Sequence, residues 1–448
     1  MGRKSGAATD WRVSLPVPES VLSESEWVEV CGVLGRRPEK SIRLRPQAAL
    51  GHGEALSAPW VTEPVPWFAG GCFVPGVAQP AACLEHAAGL FYVQDAGSML
   101  ALRLLNVQPW EQVADVCAAP GAKASAILEV VGPGGGFLLA NEPIHSRQAV
   151  LGLSLSRVGF PGYAVTGADP EQLGQSLSGL FDAVLVDAPC SGQSLVSRDR
   201  QSLGAFSESQ VQHSAARQRR ILGHAAQLVR PGGRLVYSTC TFASAENEDV
   251  ARWFLETHGN WREEPEPGLE SWRSGAAPGG YRLWPHRDRC AGGYAIRFRR
   301  TDGGGSGAWE PVVCGGFDAA GCWDDGGVGE LTGALVETRG RQRFGWSGRA
   351  CRAVVSVALA GPEVAYQPAK HWLPSHSLAL RRDSGWRPAG MLGVDDAVAR
   401  RYLEGQALAS CGEGWRVVEW RGHPLGWLHS HSARANNCLP AAARQRLR

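Results

Sequence analysis

The feature that most constrains the fold is an alternation of strand-like and helix-like segments between residues 86 and 300. Short apolar segments typical of strands recur at 112–116, 136–140, 163–166, 181–187 and 234–238. Segments with helical spacing stand between them, at 122–131, 146–158 and 210–229. The segment 181–187 is almost continuously apolar, as expected for a parallel strand that is covered on both faces. Repeated strand–helix units predict an α/β fold with a parallel sheet between two helical layers.

The chain is too long for one ordinary core and divides into four parts. Residues 1–85 predict a small N-terminal α+β domain, with a helix at 23–34 and a short basic strand at 41–45. Residues 86–300 hold the α/β unit. Residues 301–330 are rich in glycine and predict a flexible linker or a loop-rich joint. Residues 331–448 carry β-type runs at 353–357 and 415–420 and predict a mostly β domain.

Composition excludes several classes of protein. The sequence is 44% hydrophobic and 20% charged, which is ordinary for a globular chain, and no apolar run reaches the roughly 18 residues of a membrane span. The first six residues lack the apolar stretch of a signal peptide, so we expect a cytoplasmic protein with no membrane partner. The 12 cysteines include no CxxC pair, so we expect free thiols and no metal site. The net charge of +2 gives no overall signature of nucleic-acid binding.

Polar residues and cysteines follow four of the predicted strands. Asp115 to Lys123 follow the first strand, Asn141 and Glu142 the second, Asp187 to Gly192 the fourth and Ser238 to Thr241 the fifth. Ligands of an open parallel sheet bind beyond the carboxyl ends of its strands. The sequence therefore predicts one site at a single sheet edge.

The first of these loops suits a nucleoside cofactor. Its small residues and Gly121 let a ligand approach the backbone and the start of the next helix. The loop has neither the GKS/T ending of a phosphate-binding loop nor a GxGxxG pattern. Glu142, at the end of the next strand, suits the hydroxyls of a ribose. A nucleoside without a polyphosphate fits these features, and S-adenosylmethionine is such a cofactor.

Two strand ends offer cysteines, Cys190 and Cys240. Carbon 5 of cytosine is a poor nucleophile until a thiolate adds to carbon 6 and makes the ring enamine-like. That chemistry needs one activated cysteine, an acid near N3 and assistance in releasing the thiolate. Asp187 is placed to meet N3. Either cysteine suits the role of nucleophile, and the residues alone do not choose between them.

The same residues resemble the Nop/Sun family of RNA cytosine-C5 methyltransferases over positions 20–300. The segments that carry the resemblance are 117–123 (CAAPGAK), 140–142 (ANE), 187–192 (DAPCSG) and 238–241 (STCT), with further similarity at 89–95 and 282–286. The resemblance implies a Rossmann-like class I methyltransferase that uses S-adenosylmethionine. It assigns Cys240 as the nucleophile and Cys190 as the cysteine that aids release.

The resemblance also implies a set of cofactor-binding residues. Glu142 would hold the ribose, Asp169 would lie near the adenine, and Asp187 would stand between cofactor and base. The cofactor loop itself would consist of Cys117, Ala118, Ala119, Pro120, Gly121, Ala122 and Lys123.

The C-terminal segments 422–427 and 436–440 resemble the end of the bacterial branch that methylates small-subunit ribosomal RNA. In that branch the tail is a PUA-like RNA-binding domain. The sequence departs from the family at Ala122, at Gln193 and Ser194, at Tyr294 and at Asn436, and none of these changes removes a catalytic group. We expect a monomer that acts on small-subunit ribosomal RNA or on a ribosomal particle.

An RNA enzyme also needs contacts to phosphates. The candidates are Arg43 and Arg45, the run 217–220, Arg282, and Arg287 with Arg289. Tyr237 and Trp284 are expected to pack in the interior rather than to stack on RNA.

Other functions stay open at this stage. They are a transfer-RNA cytosine-C5 methyltransferase, a small-molecule or amino-group methyltransferase on the same fold, and a catalytically inactive RNA-binding assembly factor. The cysteine pair argues against a small-molecule or amino-group methyltransferase. The presence of Asp187, Cys190 and Cys240 argues against an inactive assembly factor.

Overall fold

The computed structural model describes residues 15, 18, 21–47, 60, 62–198, 200–303, 307–311, 323, 327–347, 349–432 and 434–447. The N-terminal residues 1–6, and the parts of the predicted linker at 304–306, 312–322 and 324–326, lie outside the described residues. Among the helices of the described part, none is long and apolar enough to cross a bilayer.

The N-terminal part contains a capped helix and a small antiparallel sheet. Helix α1 (Glu24–Val33) begins at Ser23, whose side chain and that of Glu26 satisfy each other's backbone N–H in a capping box. The sheet has the order β2-β3-β1-β4, and helix α2 (Leu84–Ala87) precedes its last strand. Its strands are β1 (Ser41–Leu44), β2 (Glu63–Pro64), β3 (Gly71–Phe73) and β4 (Phe91–Val93).

The central unit is the predicted α/β fold. Its sheet has the order β10-β12-β9-β8-β5-β6-β7, with β11 paired to β12. Strands β5 to β9 are parallel, and β12 runs antiparallel to β9. The elements are α3 (Leu100–Leu105), β5 (Gln112–Asp115), α4 (Ala122–Gly134), β6 (Phe137–Asn141), α5 (His145–Ser156), β7 (Tyr163–Thr166), α6 (Pro170–Ser176), β8 (Phe181–Asp187), α7 (Glu208–Leu228), β9 (Val229–Thr239), α8 (Glu248–Thr257), β10 (Trp261–Glu263), β11 (Tyr281–Leu283) and β12 (Gly293–Arg300).

Strand β8 shows why this sheet is covered on both faces. Val184 and Val186 pack with residues of α7 and α8, whereas Ala183 and Leu185 pack with residues of α3, α4 and α5. Alternate side chains of a strand point to opposite faces, so a strand between two helical layers is apolar throughout. The predicted α/β architecture is confirmed. Strand β9 starts at Val229, five residues before the predicted strand at 234–238.

The C-terminal part contains three further small sheets, of order β13-β18, β14-β15-β16-β17 and β19-β20-β21-β22, and is mostly β as predicted. Its elements are β13 (Gly329–Leu331), β14 (Ala334–Arg339), β15 (Gln342–Ser347), α9 (Arg352–Val357), β16 (Glu363–Tyr366), β17 (Leu373–Pro374), α10 (His376–Ala379), β18 (Trp386–Pro388), β19 (Met391–Val394), α11 (Asp396–Leu403), β20 (Gly414–Trp420), β21 (His423–Ser430) and β22 (Ala435–Asn437).

One strand prediction in this part is wrong. The apolar run 353–357 lies in helix α9, where Val354 and Val355 are buried. A short apolar run has no periodicity that separates a buried strand from a buried turn of helix. The run 415–420 is a strand, as predicted.

The C-terminal part packs directly against the central sheet. Phe344, Trp346 and Val354 share one apolar core with residues of β6 and β8. Trp309, within the predicted linker, lies with its ring centroid 5.7 Å from that of Phe137 and 6.0 Å from that of Phe181. This part of the linker is therefore held against the central sheet.

Candidate active site

The four loops selected from the sequence meet at the carboxyl edge of the central sheet. Asp115 at the end of β5 stands opposite Leu185 of β8, and Asp187 stands opposite Ser238 of β9. A cavity of about 340 Å³ opens at this edge. Lys123, Asp187, Ser238, Thr239 and Cys240 are among the residues that line it.

The two cysteines lie side by side. Cys190 Sγ and Cys240 Sγ are 3.3 Å apart. The hydrogen bond from Cys190 lowers the pKa of the Cys240 thiol below its ordinary value, an effect that outweighs burial and that the Lys123 ammonium reinforces. The same hydrogen bond, together with burial, holds the pKa of Cys190 well above its ordinary value. Cys240 is therefore the better thiolate of the two, and thiolates are the nucleophilic form of cysteine.

Asp187 is fixed on both of its oxygens. Lys123 Nζ donates to Oδ2 at 2.6 Å, and Ser238 Oγ donates to Oδ1 at 2.7 Å. Burial alone would lower the pKa of Lys123, but attraction to the Asp187 carboxylate outweighs it and the pKa is raised. The side chain of Asp187 is 37% exposed, so the carboxylate stays accessible from the cavity.

The cofactor loop needs glycine at one position. Gly121 has a φ of +111°, and a Cβ placed there would lie 2.5 Å from the Cβ of Ser154. The backbone around it is tied to helix α5, since Ser154 Oγ donates to the Pro120 carbonyl at 2.8 Å and Arg147 Nη2 donates to the Ala119 carbonyl at 2.6 Å. Burial raises the pKa of Cys117, whose side chain packs against the apolar core. The Cys117 thiol is therefore not activated.

The surroundings of Asp115 indicate whether this sheet edge fits a nucleoside cofactor. Asp115 is 1% exposed, and neither of its carboxylate oxygens accepts a well-formed hydrogen bond. Burial, then the Asp187 carboxylate, raises the pKa of Asp115 to about 7. Buried acceptors without donors require a partner. The amino group of S-adenosylmethionine supplies such donors, so the residues present fit this group.

Glu142 directly follows β6, and Asp169 lies three residues beyond the end of β7. Glu142 is buried, accepts from the backbone N–H of Ile144 at 2.9 Å and pairs with Arg147 at 3.2 Å. Asp169 caps helix α6 and pairs with Arg220 at 2.7 Å. The structure thus brings both predicted residues to the edge that carries the cofactor loop.

Asn141 is a residue whose role the sequence does not reveal. Its Nδ2 donates to the carbonyls of Val116 and Ala168, and its Oδ1 accepts from Thr166 Oγ1 at 2.8 Å. One buried amide therefore ties together the ends of β5, β6 and β7. A polar residue directly after an apolar strand was the available signal.

Three of the predicted RNA contacts are wrong. Arg43 is 2% exposed and is bound by Gln94, Ser125 and Glu129. Arg45 donates to the carbonyls of Arg157 and Val158. Charged side chains are rarely buried unless they are paired. These two guanidinium groups form hydrogen bonds within the protein interior.

Arg282 is the third predicted RNA contact that is wrong. It is 2% exposed and makes a bidentate ion pair with Glu248. Arg217, Arg220, Arg287 and Arg289 keep exposed side chains, although Arg289 pairs with Glu39 and Glu63. Tyr237 and Trp284 are buried, as predicted.

Two arginines at the cavity were missed. Arg198 and Arg200 line its wall, and Arg198 pairs with Asp95. Asp95 also accepts from the backbone N–H groups of Gly97 and Ala291, which holds three segments together around the cavity. The one signal in the sequence was the resemblance of segment 89–95, which contains Asp95, to the family. That resemblance did not assign a role to the segment.

The sheet order and the site at its carboxyl edge define a Rossmann-like methyltransferase fold. A methyltransferase homologue from Pyrococcus horikoshii superimposes with a TM-score of 0.54 at 23% identity, covering 63% of this chain and 93% of that one. NSun6 from P. horikoshii with SFG superimposes with a TM-score of 0.55 at 17% identity, covering 66% and 98%. At these identities the likeness establishes the fold.

Two family models match parts of the chain. The family model of the 16S rRNA methyltransferase RsmB/F matches residues 102–299, and that of the RsmF PUA domain matches residues 391–445. The chain thus contains a region similar to the RsmB/F methyltransferases and a region similar to the RsmF PUA domain, in agreement with the resemblance to the Nop/Sun family that the motifs indicated.

Curated relatives are similar to a large part of the chain. Ribosomal RNA small subunit methyltransferase F of Klebsiella pneumoniae (strain 342) is 38% identical over 294 residues, which are 62% of this chain and 60% of that protein. The protein of the same name from Salmonella paratyphi A is 36% identical over 306 residues, which are 65% and 62%. The chain therefore spans about three fifths of the length of these relatives.

Proposed function

We propose that this protein transfers a methyl group from S-adenosylmethionine to carbon 5 of a cytosine in small-subunit ribosomal RNA, with Cys240 as a covalent nucleophile. The observation that carries the proposal is the position of Cys240, which lines the cavity together with Asp187 and whose Sγ lies 3.3 Å from that of Cys190. A small-molecule or amino-group methyltransferase needs no cysteine pair at this place.

The first step is addition to the base. The Cys240 thiolate adds to carbon 6 of the cytosine and forms a carbon–sulfur bond. The electron pair of the C5–C6 double bond moves into the ring as N3 takes up a proton. We assign delivery of that proton to the Asp187 carboxyl, with the Lys123 ammonium 2.6 Å away as its source. Carbon 5 is now part of an enamine and is nucleophilic.

The second step is methylation and release. Bound S-adenosylmethionine supplies an electrophilic methyl group. The residues 117–123 would hold it with Glu142, Asp169 and Asp187, and Asp115 would accept from its amino group. After carbon 5 is methylated, its proton passes to water in the cavity, the C5–C6 double bond re-forms, the Cys240–C6 bond breaks, and the N3 proton returns to the Asp187–Lys123 pair. We propose that the Cys190 thiol donates a hydrogen bond to the departing sulfur, since the two sulfur atoms already lie 3.3 Å apart in the free protein.

The choice of ribosomal RNA rests on the relatives and on the C-terminal part. The curated relatives carry the name of small-subunit ribosomal RNA enzymes, and residues 391–445 match the PUA domain of that branch. We propose that residues 1–85 and 331–448 bind RNA around the catalytic unit at 86–300, and that the protein acts as a monomer in the cytoplasm. Transfer RNA is the alternative substrate.

The test is methyl transfer to defined RNAs. Purified protein is incubated with methyl-tritiated S-adenosylmethionine and unmethylated 16S ribosomal RNA, small subunits or transfer RNA, and the digested RNA is separated into nucleosides. We expect label in 5-methylcytidine from ribosomal RNA or small subunits, and none with the Cys240→Ala variant. Label in transfer RNA alone would move the proposal to that substrate. Label in another nucleoside would refute the cysteine mechanism, and no label would favour an inactive assembly factor.

A further inference from the structure

Three buried polar residues follow the nucleophile closely in sequence. Glu246, Asn247 and Glu248 are 0%, 0% and 1% exposed, although such side chains are seldom buried without a specific partner. They connect β9 to helix α8, and we refer to them as the Glu246–Glu248 segment. Each of the three side chains is hydrogen-bonded within the two cysteine loops or to an arginine that contacts one of them.

Asn247 spans Cys240 on both sides. Thr239 Oγ1 donates to Asn247 Oδ1 at 2.5 Å, and Asn247 Nδ2 donates to the carbonyl of Thr241 at 3.0 Å. One amide therefore fixes the residue before the nucleophile and the residue after it. The position of the Cys240 backbone depends on this pair of bonds.

Glu246 links the Cys240 loop to the Cys190 loop. Its Oε2 accepts from the backbone N–H of Ser191 at 2.9 Å and from Gln218 Nε2 at 2.8 Å. Ser191 Oγ and Thr241 Oγ1 are in turn 2.8 Å apart. The residues that follow the two cysteines thus share one hydrogen-bond network, which Glu246 anchors to helix α7.

Glu248 holds the far side of the same loop. It accepts from Arg282 Nε at 2.6 Å and from Arg282 Nη2 at 2.5 Å. Arg282 Nη1 then donates to the carbonyl of Phe242 at 3.0 Å. Arg282, which the sequence suggested as an RNA contact, fixes the loop that carries the nucleophile.

We propose that the Glu246–Glu248 segment positions the reaction's cysteines: Asn247 sets the backbone of Cys240, and Glu246 sets the separation of Cys190 from Cys240. The inference rests on the proposed function for its catalytic meaning. These residues touch neither base nor cofactor in this role and act through the cysteine loops. A displacement of about 1 Å in a reacting group costs on the order of 100-fold in rate.

The first test uses the cysteine itself and requires no RNA. Iodoacetamide labelling of the Cys240 peptide is followed by mass spectrometry between pH 5 and 10. In the Asn247→Asp variant a carboxylate faces the Thr241 carbonyl, which should displace the loop and move the Cys240 profile to higher pH. Asp249→Asn, two residues further along the chain and with a side chain that is 44% exposed, is the matched control and should leave the profile as in the wild type.

The second test separates geometry from charge at Glu246. Glu246→Gln keeps an acceptor for Ser191 and Gln218 and should retain kcat within about threefold, since neutral hydrogen bonds suffice there. Glu246→Ala leaves both donors unpaired and should lower kcat about 100-fold, with KM for RNA and for S-adenosylmethionine within about twofold. Rescue by the conservative variant distinguishes positioning from a catalytic carboxylate.

Thr239→Val removes only the hydroxyl that donates to Asn247, and it keeps the test decisive if Asn247→Asp does not fold. Wild-type labelling profiles in both Thr239→Val and Asn247→Asp, or unchanged kcat in Glu246→Ala, would overturn the inference. Failure of the wild type to methylate any RNA would refute the proposed function instead, because the labelling profile is measured without RNA.

Discussion

Cys190 Sγ lies 3.3 Å from Cys240 Sγ, although 50 residues separate the two in the chain. The contact follows from the sheet. Strands β8 and β9 are parallel neighbours in which Asp187 stands opposite Ser238, so the loops that follow them leave the sheet at the same point. One thiol donates to the other, and this asymmetry gives the two cysteines different chemistry.

The first prediction follows from that asymmetry. Cys240→Ala should abolish methylation and covalent complex formation, because no nucleophile is left. Cys190→Ala should still add to the base but release it slowly, so that a protein–RNA adduct accumulates. Denaturing gel electrophoresis with labelled RNA detects the adduct. Cys411→Ala, a half-buried cysteine in the C-terminal part, is the control and should behave as wild type. Full activity in both active-site variants would disprove the mechanism.

The second prediction concerns the ionisation of Cys240. Its pKa is lowered chiefly by the hydrogen bond from Cys190, so Cys190→Ala should raise it toward the ordinary value of 9.0. A thiol reacts as the thiolate, whose fraction below the pKa falls about tenfold for each unit by which the pKa rises. Alkylation of Cys240 at pH 7 should therefore slow in Cys190→Ala while the rate at pH 10 is retained. An unchanged profile would show that Cys190 does not donate to Cys240.

The third prediction concerns the buried Asp115. Its folded-state pKa is raised to about 7, from 3.8. A raised carboxyl pKa contributes stability that is fully present below the unfolded-state pKa and is lost as pH rises through the folded value. Asp115→Asn removes this loss. Its midpoint of thermal unfolding without cofactor should exceed that of the wild type by about 2–4 °C at pH 8 for each kcal/mol regained, and the difference should shrink toward pH 4.

The same variant should bind S-adenosylmethionine more weakly, because the amide cannot offer a carboxylate to the amino group. Calorimetric titration at pH 8 measures this affinity, with Asp249→Asn as a surface control. A stability difference that does not change with pH would mean that Asp115 is not the group that titrates.

The strand-end site could be predicted because its signals are local. Apolar runs locate the strands, and the rule that ligands bind beyond parallel strands then brings Asp115, Asp187 and Cys240 to one edge. The choice between Cys190 and Cys240 could not be made from spacing. It depends on the direction of a hydrogen bond between two side chains and, before that, on the resemblance to a family.

The burial of several polar residues could not be predicted from the sequence. Nothing in the sequence singles out Asn247 and Glu246, since their partners lie in the two cysteine loops and in α7. Arg43 was predicted to contact a phosphate, because Glu129, the residue that neutralises it, is 86 positions away in the sequence. Pairing over such distances along the chain depends on the tertiary structure, so the local periodicity of the sequence does not indicate it.

The fourth prediction is that Arg43 serves stability rather than RNA binding. Arg43→Ala leaves the Glu129 carboxylate buried without its main partner, and removing one member of a buried ion pair costs about 3–5 kcal/mol. The variant should unfold at a lower urea concentration than the wild type. Its folded fraction should bind RNA with unchanged affinity, because Arg43 is 2% exposed and cannot reach a phosphate.

Arg287→Ala is the matched comparison, since that side chain is 45% exposed. It should change stability by less than about 0.5 kcal/mol, as surface substitutions do. If Arg287 contacts a phosphate, the slope of log affinity against log salt should fall by about one. Urea unfolding and RNA filter binding at several salt concentrations measure both quantities. An Arg43→Ala protein of normal stability with a reduced salt slope would restore Arg43 to the RNA-binding surface.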